Sequence, residues 1–506
     1  MEFQFDKNTV ACMRQLLCDV QNQEQTQEVR IFEEMPDIGR VLGAWGQTFL
    51  RSKEWRSSEI VVNGGVMAWV LYVPDDSENI QRIETWIPFQ AHFGIADTGK
   101  DGSAEVNCLL RSIDARMTSS RKILVRANIG VSCIAMIQQE NTLYSISKVP
   151  DDVQVLTETY PLKLPKECGE KMFTVDELLT VPAANQEAKR IMYYTLHAEL
   201  ADQKVVAGKA VFRGTVRLHL LCCSVEGSLQ CLDFEIPFSQ YSELDNEYGQ
   251  SASMMFTFAP TNVELDFDDT GKLHLKAGMT AQYTVFEDEM ITVIEDAYSP
   301  YCKVSIQSDQ LQIPATLESA ERSVQSETTV NLDCARVLDT VFYPDHPQYR
   351  RDADIVNAEL RGLLHILYYD SNSEMQCTTV KTECVHEVVA DQNCAMRFWV
   401  KPSGKAQATV GGGAVNACGS VLLCMQSESK RGIAFVAGLD IDESSDKSIQ
   451  RPSLVLRRSN GNSLWELAKA TGSTVAAIKA ANHIENEPDR KQVLLIPVMN
   501  QLKDCR

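Results

Sequence analysis

The segment GTVRLHLLC at 214–222 decides the fold class because it has two relatives in the same chain, GVMAWVLYV at 65–73 and GLLHILYYD at 362–370. Their leading glycines, Gly65, Gly214 and Gly362, stand 149 and 148 positions apart. Counted from those glycines, Met67, Val216 and Leu364 share one phase, then Trp69, Leu218 and Ile366, then Leu71, Leu220 and Tyr368. Apolar residues at alternate positions mark a strand with one buried side. Each copy opens upstream with a basic-apolar step, Arg40-Val41, Arg190-Ile191 or Arg336-Val337. A polar turn follows each run (PDDSEN, SVEGSLQ, DSNSEM), and then another strand-like stretch. That stretch ends in Ile87-Pro88-Phe89 and Ile236-Pro237-Phe238 and has drifted to Cys384-Val385-His386 in the third copy. Proline removes a ladder donor and so belongs at a strand end or edge.

A period of this length is too long for a solenoid unit and suits tandem domains. The alternation of short strands and turns predicts a mainly β chain of three antiparallel, sandwich-like domains. The first occupies 1–149, with an amphipathic helix expected over 7–25; the second occupies 168–307 and the third 326–441. The stretches 150–167, 308–328 and 442–452 read as linkers, the second with helical potential and the last, DESSDKSIQRP, as the clearest. A small module at 453–499 ends the order.

Composition narrows the function. The chain has 506 residues, a formal net charge of −21 and 16 cysteines. Residues 451–506 carry nine Lys/Arg and five Asp/Glu, so a mildly basic tail follows an acidic body. An acidic body argues against nonspecific binding to nucleic acid. No basic n-region precedes an apolar stretch at MEFQFDKNTV, and no apolar run is long enough to span a bilayer, so a cytoplasmic chain is expected. In that compartment the cysteines read as thiols used as small apolar packing groups. No C-x-x-C pair occurs and Cys222-Cys223 are adjacent, so spacing indicates no structural metal, and no cofactor is expected.

The tail has its own local code. LVLRR (454–458) reads as a strand, and Ser463-Leu464-Trp465-Glu466 as a capping box opening a helix that Gly472 stops. Ser473 or Thr474 caps a second helix through Val475, Ile478 and Ala481 to Asn482, and VLLIP (493–497) closes a βααβ unit. Through Leu464-Trp465, Leu467-Ala468, Ile478, Asn482 and Leu495-Ile496-Pro497, residues 454–498 resemble the LysM family. The resemblance implies a groove between the first-strand-to-helix loop and the second-helix-to-strand loop, whose usual ligand is an N-acetylglucosamine glycan such as peptidoglycan. The loops depart from the family: Gly461-Asn462-Ser463-Leu464 replaces Gly-Asp-Thr-Leu, and Asp489-Arg490-Lys491-Gln492 lacks the usual glycine.

The second repeat resembles the SPOCS repeat of spore-forming bacteria, through Gly214 to Cys222, Ile236-Pro237-Phe238 and the ending Glu295-Asp296-Ala297-Tyr298-Ser299-Pro300. Three such repeats before a LysM module are the architecture of a clostridial family of spore coat morphogenetic proteins. That family implies a protein partner, the coat morphogenetic ATPase of stage IV sporulation, reached on the forespore surface from the mother-cell cytoplasm. The residues placed at the groove, and so expected to bind a partner, are Asn460, Gly461, Asn462, Ser463, Trp465, Asn482, His483, Ile484 and Lys491. Peptidoglycan binding is the alternative. No G-x-x-x-x-G-K-[ST] loop, G-x-S-x-G elbow or H-E-x-x-H helix occurs, and a non-enzymatic scaffold is expected. His219 and His365, two positions apart in the glycine register, read as surface or packing residues.

Overall fold

The computed structural model describes residues 4–76, 79–96, 99, 101–149, 152–182, 188–311, 316–429, 432–442 and 452–499. It is mainly β, with a small βααβ module at the C-terminus. The first repeat runs β1 (Gln4–Arg30), β2 (Ile38–Trp55), β3 (Glu59–Pro74), β4 (Gln81–Gly94), β5 (Ser103–Ser119) and β6 (Lys122–Lys148). The middle three form an antiparallel meander, while β6 lies between β1 and β5 in a second sheet. The second repeat repeats this plan with β7 (Gln154–Leu179), β8 (Ala188–Val206), β9 (Lys209–Ser224), β10 (Leu229–Glu243), β11 (Ser253–Phe267) and β12 (Leu273–Tyr298).

After β13 (Lys303–Leu311), the third repeat runs β14 (Thr316–Val330), β15 (Arg336–Pro344), β16 (Gln348–Asp352), β17 (Ile355–Tyr369), β18 (Met375–Val389), β19 (Cys394–Pro402), β20 (Gln407–Gly411) and β21 (Ala414–Ser429). Its plan is the same with two short strands added, β16 on β17 and β20 on β21. Strand β22 (Ile433–Asp442) pairs with β13.

The helix expected over 7–25 is instead most of β1, paired with β6 along its length. A bulge between Gln15 and Leu17 inserts one residue. That insertion interrupts the period of two and brings Met13, Leu16 and Leu17 to a spacing that imitates a helix. Two stretches read as linkers are strands as well: β7 begins at Gln154 and β14 at Thr316, each pairing with the last long strand of its repeat. Their residues are exposed or half-buried over 154–163 and 319–325, and many are charged or polar, which makes them resemble solvated connections. The stretch 443–451 lies outside the described residues.

Strand pairing also refines the repeat register. Gly64, not Gly65, is the equivalent of Gly214, since each faces the phenylalanine of its Ile-Pro-Phe, Phe89 or Phe238. A Cβ on Gly214 would stand 2.2 Å from the Glu199 carbonyl oxygen and 2.6 Å from the Phe238 ring, and one on Gly64 2.4 Å from the Phe89 ring. The glycine is required because an aromatic ring lies across the strand there. The faces of the first run are therefore inverted relative to the glycine count: Val66, Ala68 and Val70 match Val216, Leu218 and Leu220, all buried. Trp69 and Leu71 are buried too, so one-sided alternation could not reveal the slip. The hairpin pairs Tyr72–Gln81, Cys222–Gln230 and Tyr368–Gln376 align the three meanders, and they put Trp69, His219 and His365 at one common position.

The three repeats close into a ring. A bulge recurs in each first meander strand, between Val41 and Gly43, Ile191 and Tyr193, and Val337 and Asp339. Beside it, the basic step of one repeat holds the hairpin of another. Arg40 donates to the Gln376 side chain and the Met375 carbonyl, both at 2.9 Å. Arg190 donates to the Gln81 side chain at 3.1 Å and the Ile80 carbonyl at 2.8 Å. At the centre Trp45 stacks on Tyr193 with ring centroids 4.6 Å apart, and His365 meets Trp45 and Tyr343 edge-on. One core cluster runs through residues of all three repeats. The far ends of the longest strands continue, with β13 and β22, into a smaller core of Val10, Cys12, Leu143, Leu164, Ile291, Val293, Leu311 and Phe435. Cysteines follow the same logic: Cys133, Cys222 and Cys424 are free and buried, and burial pushes each thiol up to about 12.

Candidate partner-binding site

The C-terminal module is built from β23 (Leu454–Arg458), α1 (Leu464–Thr471), α2 (Val475–Asn482) and β24 (Val493–Pro497), with the two strands antiparallel. Ser463 caps α1: its hydroxyl accepts from the Glu466 amide at 3.2 Å, and the Glu466 carboxylate accepts from the Ser463 amide at 2.9 Å. Gly472 at φ 69° ends the helix, and Thr474 caps α2. Such caps each contribute about 1 kcal/mol, a large share for so small a core. Leu464, Leu467, Ala468, Ile478, Leu494 and Ile496 form that core, and Tyr298 of the second repeat is part of it.

Tyr298 stands at the end of β12, in the Asp-Ala-Tyr ending of the second repeat. Its hydroxyl donates to the Ser473 carbonyl at 3.0 Å and its ring meets Trp465 edge-on at 4.8 Å. Burial, and then the neighbouring Asp296 carboxylate, push the phenol up to about 12, so it remains a donor. Asp296 accepts from the Trp465 indole N–H at 2.8 Å and from Lys469 at 2.7 Å. The module is thus seated on the second repeat by one face of α1.

This seating sorts the nine expected residues. Trp465 lies in the contact with the second repeat. Asn482 is engaged internally, donating to the carbonyls of Ile478 and Leu495 and accepting from the Leu495 amide. Ser463 serves as the cap, and Ile484 packs on the module's core. Asn460, Gly461, His483 and Lys491 are exposed, and Asn462 is half-buried. Asn460 at φ 52°, Gly461 at φ 88° and His483 at φ 54° are left-handed, so both loops turn sharply. The loops that bear these residues approach each other, so the exposed ones share one end of the module.

Glu487, Arg490 and Ser459 also shape that end. The Glu487 carboxylate accepts from the Leu464 amide at 2.7 Å, bridging the second loop to the first turn of α1, where a helix favours negative charge. The Ser459 hydroxyl donates to the Asp489 carbonyl, and the Arg490 side chain runs beside Gly461, 3.8 Å from where a Cβ would stand. The sequence signal for Arg490 is only its place in the glycine-free run Asp489-Arg490-Lys491-Gln492, and none marks Glu487. Asp296 and Tyr298 had a clear motif, but nothing in the sequence said what would sit on it.

No helix among the described residues is long and apolar enough to cross a membrane. No curated protein and no solved structure matches the chain. The LysM domain family matches residues 459–497, the stretch in which the capping box, both helices and β24 fall, so the C-terminal module is a LysM domain.

Proposed function

We propose that the chain is a non-enzymatic scaffold of spore coat and envelope assembly whose LysM domain captures a protein partner, the coat morphogenetic ATPase on the forespore surface, from the mother-cell cytoplasm. The observation that carries a polypeptide ligand is the bridge from Glu487 to the Leu464 amide, with Arg490 beside Gly461. These contacts draw together the two loops between which the family's sugar would lie. What remains outward is a set of exposed polar and charged side chains, Asn460, His483, Arg490 and Lys491 beside Glu485 and Asp489, suited to a protein surface of mixed charge. The identity of the partner rests on the SPOCS resemblance of the second repeat and on the order of repeats before the LysM domain.

A second reading, peptidoglycan binding, is favoured by the LysM match itself. Copurification from sporulating cells separates the two. The full chain is expected to retain the ATPase, a chain lacking 452–506 to lose it, and purified peptidoglycan to retain neither form. Retention by peptidoglycan alone would reverse the ranking.

A further inference from the structure

The three interfaces of the ring are equivalent in position and unequal in chemistry. Where the first repeat meets the second, the equivalent positions hold Trp69, Arg82 and Tyr193, with Arg82 donating to the Ile191 carbonyl. Where the third meets the first they hold His365, Cys377 and Gly43, with His365 at 3.2 Å from the Ala44 carbonyl. Where the second meets the third they hold His219 and Cys231, on β9 and β10, and Asp339, on β15. Ring closure therefore does not require the third set, since two of three interfaces form without it.

We propose that His219, Cys231 and Asp339 form a zinc-class metal site that clamps the second repeat to the third. One imidazole nitrogen, one sulfur and one carboxylate oxygen lie within 4.8 Å of one another. This donor set suits a borderline-soft divalent cation in tetrahedral geometry, with water in the remaining position. The donors are held as metal ligands usually are. His219 Nδ1 is 2.7 Å from the Asp233 carboxylate, which orients the ring so that Nε2 faces Asp339. Asp233 is in turn held by Lys405 at 2.7 Å, and the Tyr193 hydroxyl donates to Asp339. A cavity of about 390 Å³ between the repeats is lined by His219 and Asp233.

The charge balance is closed. Without the metal, burial opposes charge on His219, but the Asp339 and Asp233 carboxylates that flank its two nitrogens outweigh burial and favour the imidazolium, and burial favours Cys231 as the thiol. Binding of Zn²⁺ exchanges the Nε2 proton and the thiol proton, which pass to solvent, for one dication. The net charge of the cluster is unchanged.

The test uses the full chain, stripped with chelator and titrated with Zn²⁺ against a chromogenic chelator and with Co²⁺ by absorbance. The expected result is one tight equivalent per chain, with a thiolate-to-cobalt charge-transfer band and tetrahedral d–d bands. Cys231→Ser should abolish the charge-transfer band. Asp233→Asn should weaken binding about 10–100-fold, and His365→Gln, at the equivalent position of another interface, should leave it intact. Circular dichroism of each metal-free variant checks the fold; if Asp233→Asn fails it, Cys231→Ser, the smaller change, decides. A chain that yields no charge-transfer band, or keeps it in Cys231→Ser, would overturn the proposal.

Discussion

Replacing Asp296 by alanine should release the LysM domain from the second repeat without disturbing the ring. The carboxylate holds two groups of α1, the Trp465 indole N–H at 2.8 Å and the Lys469 ammonium at 2.7 Å. A hydrogen bond to a charged group contributes about 1.5–3 kcal/mol. The Lys469 pair is partly exposed, with 44% of the lysine side chain and 23% of the aspartate accessible, so it adds about 0.5 kcal/mol after solvent screening. The loss of about 2–3.5 kcal/mol corresponds to a rise of about 30- to 400-fold in the population of undocked modules. The released domain keeps its own core of Leu464, Leu467, Ala468, Ile478, Leu494 and Ile496 and both helix caps, so it remains folded. Hydrogen–deuterium exchange read by mass spectrometry reports this directly. Peptides covering 294–298 and 464–472 should exchange faster by about that factor, while peptides from β9 stay at the wild-type rate. Glu264→Gln, which removes an exposed partner of Lys276 at 3.5 Å, serves as a control that moves neither. Unchanged exchange in 464–472 in the Asp296→Ala chain would refute the seating argument.

Further tests reach other parts of the molecule. Gly214→Ala places a Cβ against the Glu199 carbonyl and the Phe238 ring, so the urea midpoint should fall by the equivalent of about 1–3 kcal/mol. Trp45→Ala empties the hub of the ring, and should cost about 3–5 kcal/mol in the same assay. His365 supplies a pH dependence. Burial chiefly, against the Ala44 carbonyl and Asp114, holds it down to about 4, whereas the unfolded chain takes up this proton at about 6.5. Its contribution is therefore complete above about pH 6.5 and falls away as the pH drops towards 4, by about 3 kcal/mol in all. His365→Gln should flatten that part of the urea stability profile. Glu487→Ala removes the bridge to the Leu464 amide, and should raise binding of muropeptide fragments in calorimetry if that bridge is what closes the groove.

The parts of the fold that were legible in the sequence are those encoded locally. Ser463 and Glu466 announce a helix start because a capping box needs only residues three apart, and Gly472 announces its end by its left-handed backbone. The β class and the threefold repetition were legible because the central strand of each meander repeats its pattern. Register was harder: in the first copy both faces of β3 are buried, and a one-residue slip leaves no polar side chain on the wrong face. The N-terminal strand was misread for a related reason, since one bulge residue shifts a period of two into a spacing that resembles a helix.

What the sequence could not disclose were contacts made across the ring. Arg40 meets Gln376, and His219 meets Asp339, because three domains close on one another, and local patterns carry no record of closure. The candidate site shows the same division. The loops bearing Asn460, His483 and Lys491 follow from the βααβ order. The diversion of Trp465 to an internal contact depends on Tyr298 and Asp296, far away in the chain.

The central claim is that the seated LysM domain presents its loop end to a protein and not to a sugar. The most direct measurement is calorimetric titration of the full chain, and of a His483→Ala, Lys491→Glu chain, with the purified ATPase and separately with muropeptide chains. The expected result is saturable binding of the ATPase that weakens about tenfold or more in the variant, with no heat from muropeptide. Saturable muropeptide binding by the wild-type chain, with no response to the ATPase, would contradict it.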